Sequence, residues 1–239
     1  MRAFLTLIFF LAIVAPANAQ EIAISLGEEN ALTARTLQLI ALITVLSLAP
    51  GLAIMVTCFP FIVTVLSILR QAIGLQQSPP NMLIVSLALF LTYFVMEPVF
   101  TSAWQNGLSP LVEGTMDIGT AFGETMAPFQ VFMGARVDPE TLDAMIDMRT
   151  QSEEISAEEP PLSVLVPAFL LSEISRAFQI GFLVFLPFLI IDMVVAAILM
   201  SMGMMMVPPA VVALPFKLAF FVVADGWTLV TSALVRSYF

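Results

Sequence analysis

The stretch "PFLIIDMVVAAILMSMGMMMVPPAVVALPFKLAFF" (Pro187–Phe221) decides how this chain is read. It is apolar enough for a membrane, yet it holds an acid at Asp192, a base at Lys217, and three adjacent methionines, Met204, Met205 and Met206, ahead of Pro208 and Pro209. Neighbouring residues on an α-helix point about 100° apart, so three consecutive thioethers cannot share one helix face. With Gly203 before them and Pro208 after, the run reads as a turn between two helical arms. The ordinary use of methionine is core packing, because its unbranched side chain fills irregular gaps. A loop placement would instead aim flexible apolar side chains into a shared space. In a ring of copies such loops would form a soft, dry constriction, which blocks water and ions by dewetting.

The charges around this run carry the next inference. Residues 162–239 are apolar but punctuated by Glu173, Arg176, Asp192, Lys217 and Asp225. A charge facing lipid at the bilayer centre costs roughly 2.5–3.5 kcal/mol or more, so each should face a partner, water or the exterior. Lys217, the only lysine of the chain, sits in "LPFKLAFF" and needs an acid; Glu173, Asp192 and Asp225 are the candidates, in the same or a neighbouring copy. Glu173 and Arg176, at i and i+3, can also pair along one helix face. Pro167, Pro187, Pro208, Pro209 and Pro215 are expected to break the region into short helices, in a setting where protein or water satisfies the freed backbone.

Composition agrees with a membrane protein. Of 239 residues, 60% are hydrophobic and 11% charged, with mean hydropathy +1.02. The net charge of −10 misleads as a total, because the acids are concentrated in one segment. The single cysteine, Cys58, excludes an intrachain disulfide and reads as a buried thiol. With no histidine, a catalytic triad or imidazole relay has no basis, and no phosphate-binding loop, nucleophile elbow or zinc-protease helix motif occurs. The chain is not expected to be an enzyme, to bind nucleic acid or to need a cofactor.

Residues 1–19 have the form of a secretory signal peptide: Arg2, an apolar core, and small residues Ala17 and Ala19. Residues 20–104 read as an N-terminal helical hairpin. The uncharged run from Thr36 to Leu69 exceeds one span and contains Pro50, Gly51 and Pro60, which predicts a kink or a second helical piece. After Arg70, "LQQSPPN" supplies the hairpin turn at Pro79 and Pro80, with the tip near Ser78. Residues 105–161 form an acidic segment. From Glu113 to Glu159 eleven acids face two bases, Arg136 and Arg149, which places it on the periplasmic side by the positive-inside rule. In it, "VDPETLDAMIDMR" predicts a short amphipathic helix, with Asp138 as N-cap, Pro139 at the first position, and Leu142, Met145 and Ile146 on one face. Residues 150–161 read as a solvated acidic linker. Residues 162–239 make the C-terminal helical hairpin with the methionine loop.

Two long stretches, "ILRQAIGLQQSPPNMLIVSLALFLTYFVMEPV" (Ile68–Val99) and the run from Leu162 to Trp227 that includes "LLSEISRAFQIGFLVFLPF" and "MGMMMVPP", closely resemble the FliP/SctR family of type III secretion export-gate proteins. The signal peptide, the sizeable acidic segment and the double proline resemble its flagellar branch more than the virulence injectisome branch. The resemblance implies an all-α membrane fold of broken helical hairpins. About five copies would join FliQ-like and FliR-like subunits in a helical cone around a pore, in the inner membrane at the flagellar basal body. It implies that unfolded export substrates pass through that pore, that Met204, Met205 and Met206 form a gasket, and that Glu173 and Lys217 make polar contacts between neighbouring copies. It also implies that much of the chain sits above the usual bilayer plane. The rival readings are the matching injectisome subunit, an ion or solute channel that uses the intramembrane acids, and a structural scaffold in which the methionines only pack.

Overall fold

The computed structural model describes residues 29–75, 78–149, 160–204 and 206–239, all of them helix or connecting turn. The expected signal peptide at 1–19 and most of the acidic linker, residues 150–159, lie outside the described residues, as does Met205. The chain divides into two compact units, residues 1–48 and 49–239. A first helix, α1 (Glu29–Met55), carries Pro50 inside it, and its Arg35–Met55 portion is long and apolar enough to cross a membrane. It ends at a turn in which Thr57 donates its hydroxyl to the Ile54 carbonyl, and Pro60 then starts α2 (Phe59–Ile73). The uncharged run is therefore two helices, the second begun by Pro60, since a residue without an N–H is tolerated in a first turn, where that donor would be idle.

In the second unit α2 is the central element. Cys58, Phe61, Ile62, Val65, Leu66, Leu69 and Ala72 are all buried. Helix α3 (Asn81–Ala103) returns beside it, and the pair is antiparallel. Cys58 Sγ lies 4.0 Å from the Thr92 carbonyl at one end, and Arg70 bonds Asn81 at the other. The connecting turn holds Pro79 and Pro80, and Arg70 also donates to the Pro79 carbonyl. A π-helical segment (Trp104–Leu108) and α4 (Ser109–Val112) extend α3, so that Asn81–Val112 forms one apolar stretch of 32 residues.

The acidic segment is more ordered than its composition suggests. It contains α5 (Ile118–Gly134) as well as the expected short helix, α6 (Pro139–Arg149). Asp117 caps α5 by accepting the Gly119 and Thr120 amides, and Asp138 caps α6 by accepting the Thr141 amide at 3.0 Å. Helix α5 crosses the π segment closely. A Cβ on Gly107 would meet the Thr125 amide nitrogen at 2.7 Å and the Ala121 carbonyl oxygen at 2.8 Å, so only glycine fits. Leu142 and Ile146 of α6 bury against Val164 and Ala168.

The largest departure from expectation is α7 (Leu162–Ser201), one continuous helix of 40 residues through both Pro167 and Pro187. The fold is thus built from longer helices than the broken hairpins inferred from proline positions. An interior proline costs about 3 kcal/mol or more. Burial of a Leu or Phe side chain contributes roughly 1.5–3 kcal/mol each, and α7 buries Leu165, Phe169, Phe188 and Leu199. Packing therefore outweighs two lost hydrogen bonds. Helix α7 runs parallel to α2: Val56 lies against Leu165 and Phe169, and Ile68 lies against Gly181 further along. Helix α8 (Pro209–Val223) folds back on α7 and keeps Pro215 inside it, and α9 (Gly226–Arg236) leaves it at a bend of 61°. Among the described residues three helical stretches, or four if that bent pair is one, are long and apolar enough to cross a membrane.

Candidate functional site

The methionine run lies where α7 ends and α8 begins. Met202 closes α7, Gly203 turns the chain with φ 75°, and Pro208 leads into α8. A positive φ strains any side chain with a Cβ, so Gly203 is what allows the turn at this point. The Met204 amide donates back to the Leu199 carbonyl at 2.9 Å, which closes the helix end. The side chains then point away from the chain's own core: Met206 is 97% exposed, Met204 42% and Met202 67%.

Below this loop Lys217 joins three elements. Its ammonium donates to Asp192 Oδ2 of α7 at 2.6 Å and to the Ala72 carbonyl at 3.1 Å, in the last turn of α2. That end of α2 carries unpaired carbonyls and the negative pole of the helix dipole, so a cation there is doubly favoured. Gly74, with φ 87°, caps the helix beside the ammonium. Asp192 Oδ1 has no hydrogen-bond partner among the described residues, so the aspartate keeps capacity for a further donor.

A second node surrounds Glu173, which is fully buried on α7. Arg136, in the turn between α5 and α6, donates from Nε and Nη2 to Glu173 Oε1 at 3.2 and 3.1 Å. Its third donor, Nη1, reaches the Ser237 carbonyl at 2.6 Å. Tyr238 donates its hydroxyl to Glu173 Oε2, and its ring lies 4.0 Å under the Arg136 guanidinium while Phe61 meets it edge-on and Phe132 stacks on it. Burial, and then the adjacent Glu173 carboxylate, push the Tyr238 phenol well above its ordinary range, so it remains a donor. Both carboxylate oxygens are occupied, which is the condition for a buried charge to be tolerated.

Of the other singled-out residues, Arg176 lies 4.0 Å from Glu173 Oε1, a looser contact to an oxygen that Arg136 already holds. Asp225 sits at the α8–α9 bend in the left-handed region, φ 47°, and accepts from Thr228 rather than Lys217. Arg136 and Tyr238 were not anticipated. One signal for Arg136 was present, since it is one of only two bases in a strongly acidic segment; Tyr238 gave none, because its role depends on where α9 ends. Burial pushes the Cys58 thiol up to about 12, so it is inert at neutral pH.

This geometry belongs to a known pattern of sequence. Residues 42–234 match the model described as the FliP family. The chain is 52% identical over 215 residues to the flagellar biosynthetic protein FliP of Caulobacter vibrioides, covering 90% of this chain and 81% of the relative. It is 42% identical to that of Agrobacterium fabrum over 100% of this chain and 99% of the relative, and 44% identical to that of Bacillus subtilis over 85% and 92%. With residues 42–234 matched and relatives 42–52% identical over most of its length, the chain belongs to the FliP family.

Proposed function

We propose that this protein is a core subunit of the flagellar type III export gate, in which several copies together with FliQ-like and FliR-like subunits enclose the entrance for unfolded flagellar proteins crossing the inner membrane. The observation that carries the reading is the loop after α7, where Met204 is 42% and Met206 97% exposed, apolar side chains that their own chain leaves uncovered. Around a shared axis Met204, Met205 and Met206 would seal the resting pore and re-pack around a passing chain, since thioether side chains adapt to irregular shapes. The work of the subunit is passive and involves no covalent chemistry.

In this reading the two ion pairs are the frame that holds the loop. The Lys217 and Glu173 contacts within one chain fix α8 and the tail against α2 and α7. For contacts with a neighbouring copy, Asp192 Oδ1 and the half-exposed Arg176 retain unused capacity. Residues 105–161 would lie on the periplasmic side, and the hairpins on either side of them would be the two membrane-associated parts. The flagellar branch is preferred over the injectisome branch because the relatives carry flagellar names.

The test is co-expression with the FliQ-like and FliR-like proteins, native mass spectrometry of the product, and conductance in planar bilayers. A discrete complex with several copies of this chain is expected. Serine at Met204, Met205 and Met206 should leave assembly intact and raise ion leak severalfold. A strictly monomeric chain, or an intact variant complex with wild-type conductance, would remove the mechanism.

A further inference from the structure

The segment around the loop concentrates accessible sulfur. Met200, Met202, Met204 and Met206 occupy alternate positions and are 62%, 67%, 42% and 97% exposed. The only thiol, Cys58, is buried. Met96 and Met133 are fully buried, while Met55, Met82, Met148 and Met193 are exposed singly, in α1, α3, α6 and α7. We infer that the α7–α8 loop is a site of reversible methionine oxidation, and that its sulfoxide form is a wetted, leaking state of the gate.

The chemistry needs a two-electron oxidant of the peroxide class. The thioether sulfur attacks one peroxide oxygen, the O–O bond breaks, the sulfur is oxidised to sulfoxide, and the remaining oxygen leaves as water. The product is a polar, chiral group with a strong hydrogen-bond acceptor where an apolar one had been. A hydrophobic constriction excludes water only while its wall offers no such acceptors. In a ring, every copy adds its own oxidisable positions to the same narrow zone, so partial modification of each chain suffices to wet it. Met55, Met82, Met148 and Met193 lie outside the loop, and their oxidation should leave conductance unchanged. Methionine sulfoxide reductases restore the thioether, which makes the change reversible.

This inference rests on the proposed sealing role of the loop, and the experiment separates the two. The assembled complex is treated with graded hydrogen peroxide, sulfoxide is mapped by peptide mass spectrometry, and bilayer conductance is recorded on the same samples, before and after a sulfoxide reductase. Conductance should rise severalfold in step with sulfoxide at Met204 and Met206, with Met96 and Met133 unmodified, and should fall back after reduction. Leucine at Met55, Met82, Met148 and Met193 together, all outside the loop, should leave both the seal and the peroxide response unchanged. If that variant fails to assemble, the wild-type titration decides alone, because the leak must follow the loop rather than Met82 or Met148. Loop oxidation without added conductance, or a loop that resists peroxide while Met82 and Met148 react, overturns this inference and leaves the seal standing. An untreated complex that already conducts freely overturns the sealing role itself.

Discussion

Glu173 and Met206 lie on opposite sides of one distinction. Glu173 is wholly buried and has a partner for each oxygen; Met206 is almost wholly exposed, with no side-chain hydrogen bond among the described residues. Around the first, three parts of the chain distant in sequence are locked by charge: the α5–α6 turn, α7 and the tail after α9. Around the second, the backbone alone fixes the path, through Gly203 and the proline that starts α8. A stiff frame supporting a soft rim suits the proposed seal, whose rim would have to re-pack while its anchor points stay fixed.

The sharpest way to break this contrast is to remove the charge at Arg136. Arg136→Ala leaves a buried carboxylate without its cation, a loss of about 3–5 kcal/mol. The purified protein should unfold at a much lower temperature in detergent, and assembled complex should be scarce. Adding Glu173→Gln should recover part of the loss, since an unpaired neutral amide is less costly to bury than a charge.

A smaller effect is expected where close packing, not charge, holds the frame. In Gly107→Ala the new methyl would collide with Thr125 Oγ1 and lie within 2.8 Å of two backbone atoms. Overpacking of this kind costs about 1–3 kcal/mol. Truncating Thr125 should not rescue it, because the backbone contacts remain; full recovery in thermal unfolding of the double variant would show that the crossing is looser than described.

Tyr238→Phe isolates one hydrogen bond to a charged group and should cost roughly 1.5–3 kcal/mol while keeping the aromatic stack. It also carries a pH signature. The folded phenol titrates above its ordinary value of 10.0, so its contribution is complete below that pH and declines as the pH rises beyond it, where the unfolded chain ionises first. Denaturant titrations at pH 9 and pH 11 should show a wild-type stability loss that is smaller in the phenylalanine variant. The mildest change is Asp138→Ala, which removes the α6 cap for about 1 kcal/mol, with local hydrogen exchange in α6 rising while the Glu173 node stays protected.

The legibility of the chain follows the range of the interactions. The two-part run before Arg70, the turn at Pro79 and Pro80, and the capped helix after Asp138 were readable because prolines, caps and apolar spacing act within a few residues. The methionine loop was readable for a related reason, since adjacent side chains cannot share a helix face. Proline misled at 167 and 187, where its local cost is outweighed by burial against α2, an element roughly a hundred residues away in the chain. The acidic composition of residues 105–161 likewise obscured α5, whose hold is the close crossing at Gly107.

Sequence by itself determined that this is an α-helical membrane protein, that turns fall at Pro79–Pro80 and at the methionine run, that Lys217 needs an acid, and, through long motifs, its family. Only the tertiary structure decided that the acid for Lys217 is Asp192, that Glu173 takes Arg136 and Tyr238, and that α7 stays unbroken. The physical reason is that a buried charge specifies the kind of partner it needs but not its address. That address is set by which helices pack together, and packing is a property of the whole chain.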